Sequence, residues 1–199
     1  MNRPSRFLVT PALLTLLAVP GCTALQQLAA LRSVTFAFAG VSDVHIAGIR
    51  IGAGSSYASL DLADAARLGT AIVSKEVPIE FVAHVNASNP PENTVSARMV
   101  DLDWTLFIED RQTLAGELSG PVVITPGGTA DVPLTVRFDL LQLGSGGARD
   151  LFDLALAIAG QGSIQKDLRL ELVPTIETSL GPIRYPAPVV VRRVAEAGR

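Results

Sequence analysis

The chain has 199 residues, of which 48% are hydrophobic and 18% are charged, and its formal net charge is −3. Disordered chains are polar and rich in charge, so this composition predicts a folded chain. The mild acidity, with charges scattered along the sequence, disfavours nucleic acid as a partner and disfavours binding to anionic lipid through a basic surface. Because there is a single cysteine, no disulfide can form within the chain.

The N-terminus has the pattern of an export signal. Two arginines precede an uncharged, mostly apolar run over residues 7–19, and Gly21 stands directly before Cys22. The run is shorter than the roughly 20 apolar residues that a transmembrane helix needs. A basic start, a short apolar run and a small residue before cysteine match a bacterial lipobox. We predict a lipoprotein signal peptide over residues 1–21 with Cys22 as the lipid anchor; an uncleaved anchor and a soluble exported protein are the alternatives.

The segment after the anchor is short. We assign residues 22–32 to the lipid anchor and tether, residues 33–193 to one domain and residues 194–199 to a C-terminal tail. The tether spans at most about 35 Å when extended, so the domain stays close to its membrane. Thr23 after the cysteine, in place of aspartate, predicts sorting to the outer membrane, facing the periplasm, in a Gram-negative host.

Three segments between residues 78 and 138 alternate apolar and polar residues, as half-buried β-strands do. Their apolar rows are Ile79, Phe81, Ala83, Val85 and Ala87; then Leu102, Trp104, Leu106 and Ile108; and then Ala130, Val132, Leu134, Val136 and Phe138. The rows are separated by residues 89–91 (Asn-Pro-Pro) and 126–128 (Pro-Gly-Gly). Both favour turns, because proline lacks a ladder donor and glycine reaches backbone angles that strain other residues. Short strands at this spacing predict an antiparallel sandwich or barrel.

Two further segments predict helices. Residues 60–73 begin near Asp61 and are rich in helix formers, although Gly69 lies in the middle. Residues 150–159 place four apolar residues on one stripe, namely Leu151, Leu154, Ala155 and Ile158. We expect the second helix to cover one end of the sandwich. Docking on a membrane or a partner is the alternative.

The order of these segments resembles the late embryogenesis abundant type 2 domain, also called the water stress and hypersensitive response (WHy) domain. In that family an Asn-Pro corner follows the first long strand, and a leucine-rich strand with an aromatic residue comes next. A Pro-Gly-Gly or Pro-Gly-Ser turn then leads into a strand that ends near Asp-Leu. Residues 89–90, 102–108, 126–128 and 138–140 fit those places, and residues 175–186 resemble the family's closing hairpin.

The resemblance covers about residues 34–191, with one departure at Pro91, where the family usually has a second asparagine. It implies an all-β fold, an immunoglobulin-like or fibronectin-like antiparallel β-sandwich with one or two short helices. It also implies a non-enzymatic protein of the bacterial cell envelope, linked to desiccation and water stress, that acts as a folded binding or stabilising module. A protein or an apolar ligand is the partner that this reading suggests.

Two other functions stay open from the sequence. One is a carrier of lipid or another apolar ligand, which the tether and the aliphatic content permit, with a groove between the two sheets as its site. The other is a hydrolase whose site is assembled from distant residues. Histidine, cysteine and paired carboxylates are scarce, so we expect no enzyme, no cofactor and no metal.

A few residues could carry chemistry or binding. His45 and His84 lie in predicted strands without metal-ligating neighbours, and we predict ordinary strand residues. Asp101, Asp103 and Asp110 could hold a hard cation, but Leu106 stands where a calcium loop has its glycine. We therefore predict that these aspartates lie on a solvent-exposed strand face. Trp104 is predicted to fill the core, with stacking on a ligand as the alternative.

Overall fold

The computed structural model describes residues 33–108, 110–118, 120–143, 146–161, 167–178 and 181–193. The predicted signal peptide, the Cys22 anchor, the tether and the C-terminal tail lie outside these residues, and they stay predictions.

Strands dominate the described chain, with two helices between them. In chain order the elements are β1 (Thr35–Ile46), β2 (Ile49–Arg50), α1 (Leu62–Val73), β3 (Pro78–Ser88), β4 (Ala97–Ile108), β5 (Arg111–Glu117), β6 (Val122–Ile124), β7 (Thr129–Asp139), α2 (Ala148–Ala159), β8 (Leu168–Thr178), β9 (Gly181–Arg184) and β10 (Val189–Arg193). Single 3₁₀ turns span Tyr57–Ser59 and Leu140–Gln142.

The strands form two antiparallel sheets. The first has the order β2-β1-β3-β7. The second has the order β10-β8-β4-β5, with β6 added to β4 and β9 added to β8. The β8–β9 pairing is the closing hairpin that the sequence predicted over residues 175–186. The predicted all-β antiparallel sandwich with short helices is therefore confirmed.

The inner faces of the two sheets form one apolar core. Every second residue of β3 from Ile79 to Ala87 is buried, and β4 and β7 repeat this alternation. Phe81 and Phe138 meet edge to face with ring centroids 6.4 Å apart. The predicted rows are correct except at Ala130, which is only half-buried near the start of β7.

A buried asparagine joins the two predicted turns. Asn89 is 1% exposed, and its side-chain amide donates to the carbonyl oxygens of Val95 and Ile124 at 3.2 and 3.0 Å. Its backbone N–H donates to the carbonyl of Gly128 at 2.9 Å. Asn93 donates to the Asn89 side-chain oxygen. The Asn-Pro corner and the Pro-Gly-Gly turn are therefore one hydrogen-bonded unit, held mainly by Asn89.

Trp104 lies in the core, as predicted, at 4% exposure. Its indole ring covers Gly116, the residue directly opposite on β5. A Cβ atom at Gly116 would lie 2.5 Å from Cζ2 of the tryptophan, so only glycine fits there without a shift. The indole Nε1 is buried and has no hydrogen-bond partner among the described residues.

Both predicted helices form, and the start of each differs by two residues from the prediction. α1 begins after Asp61, whose carboxylate accepts from the backbone N–H of Asp64 at 2.7 Å. α2 begins at Ala148, two residues before the predicted start, because the Asp150 carboxylate accepts from the N–H of Gly147 at 3.0 Å and so fixes the first turn. α2 buries most of its apolar side chains and packs beside β1. In α1 only Leu68 is fully buried.

Candidate functional site

The space between the sheets is occupied by side chains. Apolar residues from both sheets pack there as one cluster. Two grooves lie outside this cluster, beside α1.

The first groove, which we call the α1 groove, has a volume of about 670 Å³. Its apolar lining consists of Ala47, Ala63, Ala66, Ala71 and Pro78, and its polar lining consists of Arg67, Thr70, Ser74 and Glu76. Apart from Arg67, the side chains that α1 contributes are small, so the helix surface is recessed along this side. The groove is shallow and open to solvent, since most of its lining residues are exposed.

The opposite wall of the α1 groove is fixed by a tight hairpin. Ala47 and Gly48 connect β1 to β2 with φ angles of 48° and 77°, and two successive positive φ angles are typical of a type I′ turn. The N–H of Ala47 donates to the carbonyl of Pro78 at 2.8 Å. This bond ties the hairpin to the start of β3, so the wall opposite α1 is part of the sheet framework.

A second groove, which we call the charged groove, adjoins the first. It measures about 550 Å³ and is lined by His45, Gly48, Glu76, Pro78, Glu80 and Arg137. Glu76 and Pro78 line both grooves, so the two form one continuous surface. Arg137 pairs with Glu80 across β7 and β3, and Nδ1 of His45 lies 2.8 Å from the carbonyl oxygen of Asp43. Acidic and basic groups therefore share this end of the surface.

One exposed stripe of α1 carries aliphatic residues, although a surface helix usually turns such residues toward the core. Leu62 is 88% exposed and Val73 is 84% exposed. They are eleven positions apart, which is about three helical turns, so both lie on one face of α1. Ala66 lies on that face between them and also lines the α1 groove. Leu62 and Val73 are thus two separate exposed aliphatic side chains at the two ends of α1, on the side of the helix that carries Ala66.

The outer face of the first sheet carries a chain of hydrogen bonds that the sequence did not predict. Nε2 of His84 lies 2.8 Å from Oγ of Ser42, and Nδ1 of His84 lies 2.8 Å from Oδ2 of Asp131. The three residues come from β1, β3 and β7 and are 42 and 47 positions apart. His84 does lie in a strand as predicted, but its polar partners are distant in sequence, so local spacing could not reveal them.

The other candidate residues are dispersed. Among the described residues no group of three or more histidine, cysteine or acidic side chains is placed to hold a metal ion. Asp103 pairs with Arg184, while Oδ1 of Asp110 lies 3.5 Å from Nε of Arg169, so these two aspartates are held by different arginines. In the described part of the chain, no helix has both the length and the apolar character needed to cross a membrane.

Comparisons with known proteins give structural matches only. No protein-family model and no curated protein matches the sequence. A crystal structure of a protein from Archaeoglobus fulgidus matches at 15% identity, with 78% of this chain and 92% of that chain covered and a TM-score of 0.36. A solution structure from Arabidopsis thaliana matches at 15% identity, with 58% and 68% covered and a TM-score of 0.37.

A third match is the solution structure of a candidate late embryogenesis abundant (LEA) protein. It is 12% identical, with 89% of this chain and 81% of that chain covered, and the TM-score is 0.36. Similarity at these identities and TM-scores does not assign the chain to a family.

Proposed function

We propose that this protein is a lipid-anchored binding module of the bacterial cell envelope that works in the response to water stress and binds an amphiphile beside α1. The observation that carries the binding proposal is the continuous surface made by the α1 groove and the charged groove. The predicted anchor at Cys22 and the sequence resemblance support the envelope and water-stress parts. Binding of this kind requires no catalysis.

The lining of the surface sets the chemistry of the ligand. The α1 groove offers alanine and proline walls to an aliphatic segment, and removing apolar area from water contributes about 25 cal/mol per Å². The charged groove at the other end holds both acidic and basic side chains. A single-chain amphiphile whose head group carries both charges matches this arrangement, with its chain along α1 and its head beside Glu80 and Arg137.

A direct binding measurement tests this assignment. The soluble Cys22→Ser chain, residues 22–199, is titrated with lysophosphatidylcholine below its critical micelle concentration and followed by calorimetry. We expect saturable binding. Ala66→Trp fills the α1 groove and should weaken binding by about tenfold or more, equivalent to about 1.4 kcal/mol. Ala65→Trp is the matched control, because Ala65 is exposed on the same helix and does not line the groove.

The comparison between the two tryptophan variants separates groove binding from general stickiness. If both variants weaken binding equally, or if neither weakens it, the amphiphile does not occupy the α1 groove. A maltoside with the same alkyl chain tests the head group, since an uncharged head should bind less tightly if the charged groove contributes. Equal affinity for both amphiphiles would limit the site to its apolar part.

A further inference from the structure

The Ser42–His84–Asp131 chain has the connectivity of a nucleophile, a base and an orienting carboxylate. Both hydrogen-bond distances are 2.8 Å, within the range expected for real bonds. An ionised carboxylate only accepts hydrogen bonds, so its contact with Nδ1 assigns the ring proton to that nitrogen. Nε2 is then the acceptor for the Ser42 hydroxyl. This is the arrangement in which a histidine can take the proton of a serine.

The sheet explains how the three side chains meet. His84 lies opposite Gly40 on β1 and opposite Pro133 on β7. Neither neighbour has a long side chain, so the imidazole reaches its diagonal neighbours, Ser42 on one side and Asp131 on the other. The register of β1 shifts between Phe38 and Gly40 and again after Ser42. The serine therefore lies between two irregularities of its strand, and such bulges re-aim side chains.

Asp43 is a second possible acceptor for the Ser42 hydroxyl, but it pairs with Arg50. Oδ2 of Asp43 lies 3.4 Å from Oγ of Ser42, which is longer than the contact with His84. The other oxygen of Asp43 accepts from Nη2 of Arg50 at 3.0 Å. The shorter contact of Ser42 is thus the one to the base. His84 is 29% exposed and Asp131 is 49% exposed, so a small molecule can reach this face from solvent.

We propose that Ser42 accepts an acyl group from small esters, with His84 as the general base and Asp131 as the positioning residue. This activity goes beyond the proposed binding function and uses different residues. Oγ of Ser42 attacks the ester carbonyl carbon while its proton moves to Nε2 of His84. The bond from the carbon to the leaving oxygen then breaks, and that oxygen takes the proton from Nε2 and departs as the alcohol.

Water completes the cycle. It attacks the acyl carbon on Ser42 and gives a proton to Nε2, and the bond to Oγ breaks as Oγ recovers that proton. The sum is one ester and one water converted to one carboxylic acid and one alcohol. A positioned general base contributes about 10²–10⁴-fold, and this is the gain expected over an unassisted serine. Because Ser42 lines neither groove, the reaction should favour small, activated esters.

Covalent labelling tests the proposal on the full chain in isolated membranes. A fluorophosphonate probe forms a phosphonyl ester with an activated serine and releases fluoride, and tryptic peptides are analysed by mass spectrometry. Label is expected on Ser42 and not on Ser88, which lies on the same sheet face with its Oγ 2.8 Å from the Thr129 hydroxyl oxygen. Ser42→Ala should abolish the signal, while Ser88→Ala should leave it unchanged.

Variants of the other two residues distinguish chemistry from structure. His84→Gln should slow labelling of Ser42 by about a hundredfold or more, the lower end of the range for general-base assistance, and Asp131→Asn should also slow it. Asp131→Glu should restore part of the rate lost in Asp131→Asn. Thermal unfolding of each variant is measured alongside. Equal labelling of Ser42 and Ser88, or an unchanged rate in stably folded His84→Gln, would overturn the proposal.

Discussion

Replacement of Trp104 by alanine should lower the free energy of unfolding by about 3 kcal/mol. The indole is 4% exposed, and an aromatic side chain of this kind removes about 200 Å² of apolar surface from water, which contributes about 5 kcal/mol. Against this, the buried Nε1–H has no partner among the described residues, and such a group costs the native state about 1–3 kcal/mol. The substitution removes both contributions, so the net loss is smaller than the buried area alone suggests.

A double-mutant cycle with Gly116 makes this prediction specific to the contact. Gly116→Ala alone places a Cβ atom 2.5 Å from Cζ2 of Trp104 and should cost about 1–3 kcal/mol through overpacking. In the Trp104→Ala background the same atom has room, so the second substitution should cost little. The two single costs should therefore exceed the cost of the double variant by about 1 kcal/mol or more.

The assay is urea denaturation of the soluble Cys22→Ser chain, followed by circular dichroism. A loss below about 1 kcal/mol for Trp104→Ala would place the indole outside the core and favour its alternative role in stacking on a ligand. Strictly additive costs for the two substitutions would refute the close packing of Trp104 on Gly116.

Three more predictions concern the corner, the first helix and the anchor. Asn89→Ala leaves buried carbonyl oxygens without donors and should cost about 2–3 kcal/mol by urea denaturation, whereas a loss within 0.5 kcal/mol would contradict the role of Asn89. Gly69→Ala should stabilise the protein by up to about 1 kcal/mol, because the new Cβ meets nothing within 4 Å in the middle of α1; a lower unfolding temperature would argue against this helix. Cys22→Ser should abolish lipid attachment, which mass spectrometry of the N-terminal peptide checks directly, and an unmodified Cys22 thiol in the wild-type protein would remove the lipoprotein assignment.

The sequence predicted the features that depend on near neighbours. Strands β3, β4 and β7 were recognisable because side chains alternate between faces with a period of two. The turns at residues 89–91 and 126–128 were recognisable because proline and glycine restrict or free the backbone locally. The hydrogen bonding between these two turns was not predictable, since it depends on where β6 and β7 bring Gly128 relative to Asn89.

The candidate sites depend on features that a sequence pattern does not contain. The Ser42–His84–Asp131 chain requires the registers of β1 and β7 on β3, including two shifts within β1. The sequence predicted α1 from its helix-forming residues, but helix propensity does not say which face of the helix meets the core. Here Leu68 is buried while Leu62 and Val73 face solvent, a choice that the packing of the whole domain decides.

Recovery of a deletion strain from drying tests the central claim most directly. Cells that lack the gene are complemented with the wild-type protein, with Ala66→Trp or with Ala65→Trp, each shown to be anchored and folded, and viability after drying is counted. We predict that the wild type and Ala65→Trp restore recovery while Ala66→Trp does not, because Ala66 lines the α1 groove and Ala65 does not. Full rescue by Ala66→Trp, or normal recovery without the gene, would contradict the account.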